Sequence, residues 1–291
     1  MSDTVKLTPE LLRELQLKQL DMLVYFRDFC ENNNLRFYLF GGCLIGALRH
    51  GGFIPWDDDI DVIMPREDYE KLHKLWKEKK ADGRFRLLRT DDETFTGNIF
   101  TTVTDTNYTL VKTNQTDVDI PHGLVLDVFP LDVCPDSRFA RKMQYIWAML
   151  YSLFLAQIVP ENHGGILSLG SKALLGIFRG KKLRNKIWRF CEKKMTKHKI
   201  SENKCLTELC AGPHWMKIEF PKHIYDGADY VTFEGLKIPC MSGYKEYLSM
   251  VFGDYMKLPP KEKQVPHHDL AYLDLTSPCA EYDSKRKQKD K

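Results

Sequence analysis

Four aspartates fall within five positions, Asp57-Asp58-Asp59-Ile60-Asp61, directly ahead of the apolar run Val62-Ile63-Met64. No other segment constrains this chain so tightly. Like charges a few ångströms apart repel one another, by about 1 kcal/mol per pair even in bulk water. A folded chain gains nothing by fixing them beside apolar strand residues unless something cancels the charge. A strand alternates its faces. If Ile60 and Val62 turn into the core, Asp59 and Asp61 project together from the other face. Two parallel carboxylates of this kind make a hard-oxygen site for Mg2+ or Mn2+. Without a cation, one of them should hold its proton more tightly. The plainer alternative is a solvated acidic turn. An EF-hand calcium loop is excluded, because the acids are not spread over twelve positions with a central glycine.

Two other segments join this one. Gly41-Gly42 follows the short aromatic and apolar run Leu35–Phe40, read as a strand, and leads into a helix over Cys43–Arg49. Glycines there let backbone N–H groups approach a phosphate closely. Downstream, Leu124-Val125-Leu126-Asp127-Val128-Phe129 places a lone carboxylate inside an apolar strand that Pro130 should end. A buried charge is costly unless paired or metal-bound. Asp127 is therefore a third candidate ligand beside Asp59 and Asp61.

The rest of the chain reads as α/β, a mixed sheet with flanking helices and a helical insertion. Thr8-Pro9 caps an amphipathic helix that Asn32-Asn33-Asn34 ends. Residues 60–64 form a strand, 66–80 a helix, 84–111 polar strands, 229–239 a hairpin turning at Gly235, and 244–252 a helix. The expected organisation is a catalytic core over 1–137, a helical insertion over 138–210, a segment completing the core over 211–280, and a flexible basic tail over 281–291. Met143–Pro160 is a run of uncharged residues at the length threshold for a spanning helix, and Gly165–Phe178 is followed by Arg179-Gly180-Lys181-Lys182-Leu183-Arg184. A buried core helix, a membrane span and an interfacial hairpin with peripheral membrane contact all stay open.

Charge and cysteine content narrow the class. With 43 basic and 40 acidic residues the net charge is +3, which gives no basis for a nucleic-acid partner. The eight cysteines form no C-x-x-C pair and the N-terminus is polar, so a reducing cytoplasmic location is expected. Cys205, Cys210 and His214 match no common structural zinc spacing.

The block GGCLIGALRHGGFIPWDDDIDVIMPREDYEKL, with HGLVLDVFPLD at 122–132 and FGDYMKLPP at 252–260, resembles the LicD family of phosphocholine transferases, which extends to fukutin-like proteins. The resemblance implies a nucleotidyltransferase-like fold. It also implies transfer of a phospho-alcohol headgroup, phosphocholine from CDP-choline in the usual case, to a sugar hydroxyl of a cell-surface glycan or its lipid-linked precursor. In that pattern Asp59, Asp61 and Asp127 hold the metal. Gly41 and Gly42 approach the diphosphate, Arg49 and His50 lie close to it, and Asp57 and Asp58 join the substrate-binding set. Asp127 is the first candidate for general base, with His122 and His267 as alternatives. Two other readings keep the fold: nucleotidyl transfer from a nucleoside triphosphate, or a non-catalytic binding protein. Three retained, costly acids weigh against the last.

Overall fold

The computed structural model describes residues 4–79, 83–91, 93–157 and 165–289. In chain order, α1 (Pro9–Asn32) leads to β1 (Tyr38–Leu39), α2 (Gly41–His50), β2 (Asp61–Pro65) and α3 (Arg66–Lys79). Strands β3 (Phe85–Leu88), β4 (Thr101–Asp105), β5 (Thr109–Lys112) and β6 (Leu124–Cys134) follow. Then come α4 (Arg138–Ala156), α5 (Gly165–Ile177), α6 (Lys181–Met195), β7 (Cys205–Glu208) and β8 (Phe220–Pro221). The chain closes with β9 (Ala228–Phe233), β10 (Leu236–Met241), α7 (Tyr244–Phe252), β11 (Leu270–Asp274) and α8 (Cys279–Lys289). The fold is mixed α/β, its main sheet containing parallel and antiparallel strands.

The chain divides into two compact units, the first made of Met1–Leu88, Thr102–Phe129 and His223–Lys291. Here the strand order is β1-β2-β6-β4-β3. β1 lies antiparallel to β2 with Tyr38 opposite Ile63, and the first half of β6 is tied in by the Asp127 amide donating to the Ile60 carbonyl at 2.9 Å. Helix α1 starts where the Thr8 hydroxyl accepts from the Leu11 amide, and it buries Leu15, Met22, Leu23 and Phe26. Its apolar residues recur three and four apart, so one stripe faces the core. Two further antiparallel pairs, β9–β10 and β5–β11, complete this unit. The β9–β10 turn is Glu234-Gly235, both at positive φ, the conformation two-residue hairpins favour.

The second unit comprises Arg89–Thr101 and Pro130–Lys222. Its strands are the second half of β6 with β7 and β8; α4 packs against α6, and its Gln144 donates to the carbonyls of Val133 on β6 and Met195 on α6. Arg141 on α4 is buried but fully engaged, donating to Glu219, Gln144, Thr207 and the Met216 carbonyl.

Two expectations change. Only Tyr38–Leu39 of the run 35–40 is paired as strand. β6 continues past Pro130, because losing one amide donor does not prevent Leu131–Cys134 from pairing with β7. By its internal contacts the chain divides after Phe129 and Lys222, and β7 and β8 pair within the second unit. Residues 281–289 lie in α8, which is held by Arg286 donating to the carbonyls of Thr116 and Val118. Among the described residues no helix is long and apolar enough to cross a membrane. Part of the 143–160 run, residues 158–160, lies outside them.

Candidate active site

The acidic run forms the loop between α2 and β2, and buried polar side chains hold its backbone. On α1, Gln16 donates to the carbonyls of Ile54 and Asp57 at 3.1 and 2.8 Å, and Gln19 donates to that of Asp58 at 3.0 Å. Cys43, in the first turn of α2, accepts from the Asp61 amide at 3.3 Å, and its thiol lies 3.7 Å from the Asp59 carbonyl. Burial and the neighbouring carboxylates push that thiol well above its ordinary pKa, so it stays protonated and can donate. Loop and strand are thus pinned from two helices.

Asp61 opens β2, whereas Asp59 stands in the loop just before it. The alternation still holds around them: Ile60 and Val62 are fully buried, while Asp59 and Asp61 are only half-buried. Asp57 and Asp58 are buried, as is Asp127 on β6. The electrostatics follow from this crowding. Burial, then repulsion from Asp59 and Asp58, pushes Asp57 up to about 8. Burial and the charges of Asp59, Asp127 and Asp57 hold Asp61 well above the usual carboxylate range, with Lys112 opposing them. Asp127 is raised by burial against the pull of Lys112, whose Nζ lies 3.9 Å from Asp127 Oδ2.

Asp58 goes the other way. Burial would raise it, but the His268 side chain and the amides of His267 and His268, at 2.9 and 3.2 Å, hold it below its ordinary value. That contact brings the segment before β11 to the acids. His267 Nδ1 comes within 3.6 Å of Asp57 Oδ1, and His268 Nδ1 within 3.9 Å of Asp59 Oδ2. Lys112 Nζ stands 3.1 Å from His268 Nε2.

This donor set fits a divalent cation. Ligand atoms of Asp57, Asp59 and His267 all lie within 4.8 Å of one another. Oδ1 of Asp57 and Oδ1 of Asp127 are buried and accept no hydrogen bond, an arrangement that costs free energy unless something positive completes it. The converging group includes Asp57 and His267, where the sequence pointed to Asp59, Asp61 and Asp127. Asp61 and Asp127 adjoin it through their mutual repulsion.

The other expected residues are distributed as follows. Gly41 and Gly42 open α2 against the acids: a Cβ on Gly42 would fall 2.7 Å from Asp57 Oδ2, and one on Gly41 3.8 Å from Asp61 Oδ2. Arg49 and His50 end the same helix, about 12 Å from the glycines at 1.5 Å per residue. Arg49 donates to the carbonyls of Tyr255 and Lys257, and its Nε lies 3.0 Å from His50 Nε2. The structure does not bring His122 to the cluster. It lies five residues before Asp127, its Nδ1 2.6 Å from Asp283 Oδ1 and its Nε2 3.0 Å from the Gln115 carbonyl oxygen. Gln16, Gln19, Cys43, Lys112 and His268 went unnoticed in the sequence. The buried stripe of α1 was a usable signal, since two glutamines on it need partners.

Comparison with known proteins shows the family. The profile described as LicD/FKTN/FKRP, nucleotidyltransferase domain, matches residues 34–137, which contain α2, the acidic loop and all of β6. The lipopolysaccharide cholinephosphotransferase LicD of Haemophilus influenzae is 32% identical over 275 residues, covering 88% of this chain and 96% of that one. The chain belongs to the LicD family. Shorter matches are to the ribitol 5-phosphate transferase FKRP of Homo sapiens, 41% identical over 51 residues (18% of this chain, 10% of that one), and to mannosyltransferase regulator 4 of Saccharomyces cerevisiae, 25% identical over 167 residues (55% and 14%). The match to the Haemophilus LicD protein extends well beyond the profile, so the family likeness takes in the inserted unit as well.

Proposed function

We propose that this LicD-family chain is a metal-dependent phosphotransferase. It moves phosphocholine from CDP-choline to a sugar hydroxyl of a cell-surface glycan, such as a lipopolysaccharide or teichoic acid precursor, and releases CMP. The observation that carries this reading is the convergence of Asp57, Asp59 and His267 beside Asp61 and Asp127 at the opening of α2, with two carboxylate oxygens unsatisfied.

Asp57, Asp59 and His267 would hold Mg2+ or Mn2+, with Asp61 and Asp127 adjoining. Once bound, the cation would offset the charge of the diphosphate and of the departing CMP. The free amides at the first turn of α2 face a diphosphate oxygen, since a helix N-terminus favours an anion. Asp127 takes the proton of the acceptor hydroxyl. That oxygen then forms its bond to the phosphorus bearing choline, and the anhydride bond breaks with its electron pair leaving on the CMP phosphate. Lys112, beside Asp127 and His268, offsets negative charge as it gathers there. Most of the catalysis is positioning and electrostatics, as is usual for phosphoryl transfer.

The test is calorimetric titration with CDP-choline, CDP-ribitol and CDP-glycerol, each with Mg2+ and then with EDTA, followed by measurement of released CMP. Metal-dependent binding of CDP-choline and CMP release on adding acceptor, both lost in Asp59→Ala, is the expected result. Preference for another CDP-alcohol would replace choline. Pyrophosphate released from a nucleoside triphosphate would overturn the reaction class.

A further inference from the structure

The second unit carries a surface that the proposed chemistry does not use. Residues 138–222 contain 17 Lys and Arg against five Asp and Glu, a net +12 within a chain of net +3, so the remainder is −9. A basic surface alone is usually just solvated. Here the basic residues border apolar side chains that face water. Helix α5 has one charged residue, Lys172, in 13 positions, yet Leu169 and Ile177 are 70% and 72% exposed. With Ala173 and Gly176 they form one stripe, four and three or four residues apart. On α6, Trp188, Cys191 and Met195 are buried, while Leu183 and Phe190, seven residues apart, are 43% and 50% exposed. Lys182, Lys186, Arg189 and Lys193 are exposed beside them at spacings of four, three and four.

Hydrogen bonds tie the two helices at their junction. Arg184 donates to the carbonyls of Leu175 and Phe178, and Arg179 to that of Gly176. Phe190 keeps one edge against Trp147 of α4, ring centroids 5.6 Å apart, so it is fixed in its outward position. Apolar side chains in the middle with long basic ones beside them is the chemistry of a helix lying in a membrane interface. The lysine and arginine stems can follow the apolar layer while their charges reach the phosphates.

We infer that the outward faces of α5 and α6 dock on an anionic lipid bilayer, with Leu169, Ile177, Leu183 and Phe190 entering the headgroup region and Lys182, Lys186, Arg189 and Lys193 pairing with lipid phosphates. The inference goes beyond the proposed reaction and stands independently of it. The charge balance selects the occupant. A symmetric contact between these faces on two copies of this chain would bring two faces of the same sign together, whereas an anionic bilayer complements both the charge and the apolar centre.

Flotation of the full chain with vesicles of phosphatidylcholine alone, and of phosphatidylcholine mixed with phosphatidylglycerol, tests this directly. The protein should float with the anionic vesicles only and be released by high salt. The triple variant Lys182→Ala, Lys186→Ala, Lys193→Ala should lose roughly a hundredfold in partitioning. Leu183→Glu with Phe190→Glu should abolish flotation. Hydrogen exchange on the wild-type chain makes the test independent of how well the variants fold: anionic vesicles should slow exchange in α5 and α6. Three results would overturn the inference: a protein that stays soluble with both vesicles, equal flotation with both, or self-association abolished by the same substitutions. CMP release from a soluble acceptor does not enter any of these readouts, so the reaction and the docking surface can fail separately.

Discussion

At the residue scale, the cost of gathering acids is concentrated on Asp57 and Asp61. A carboxyl whose folded pKa lies above its unfolded value binds more protons in the native state. The stability it contributes is present below about pH 4 and is lost as pH rises through the folded pKa. For Asp57 that upper limit is about 8. In EDTA the melting temperature should therefore fall between pH 5 and pH 8, and Asp57→Asn should flatten the slope. Adding Mg2+ at pH 7.5 should release protons, measurable by calorimetry in buffers of different ionisation enthalpy. Asp59→Asn removes a charge that repels both neighbours. In EDTA it should melt higher than wild type, by about 1 kcal/mol in stability, while CMP release falls by more than about a hundredfold. His268→Ala acts less directly, through Asp58 and Lys112. A loss of about 10–100-fold in metal affinity with the fold retained is expected, read by calorimetry and circular dichroism.

At the element scale, α2 is held close to its neighbours because it has glycine where the loop and its acids press in. A methyl on Gly46 would lie 2.4 Å from the Gly52 carbonyl oxygen, which is backbone and cannot swing aside. Gly46→Ala should cost about 1–3 kcal/mol in denaturant unfolding. Gly42→Ala presses instead on the Asp57 carboxylate, so its main effect should be weaker Mg2+ binding. α1, α3, α7 and the hairpin turning at Gly235 were readable because caps, periodicity and turn residues are local signals. The extension of β6 past Pro130 was not, because its partner β7 lies some seventy residues further on. The acids themselves stood out because charge beside apolar residues is conspicuous. Lys112 and His268 did not, since a lone lysine ending a strand or a second histidine in a loop is ordinary until the fold brings them within 3.1 Å of each other.

At the scale of the whole molecule, side-chain contacts tie α8 to the 116–122 segment of the first unit. Asp283 on α8 reaches the buried ring of His122, and Arg286 holds the 116–118 turn. Asp283→Ala should lower stability by about 1–3 kcal/mol by leaving a buried imidazole nitrogen unpaired, and urea melts would show it. CMP release by the folded variant should be unchanged, since that histidine stands apart from the acids. The separation of charge, +12 over residues 138–222 and −9 elsewhere, has no counterpart in the bland net value and was invisible in a whole-chain count. The contact between Asp58 and the amides of His267 and His268 spans 209 and 210 residues. On the ribosome, this means that the acid cluster cannot close until residues 267 and 268 have been synthesised and have cleared the exit tunnel. A nascent chain interrupted before residue 267 would carry the aspartates without their clasp.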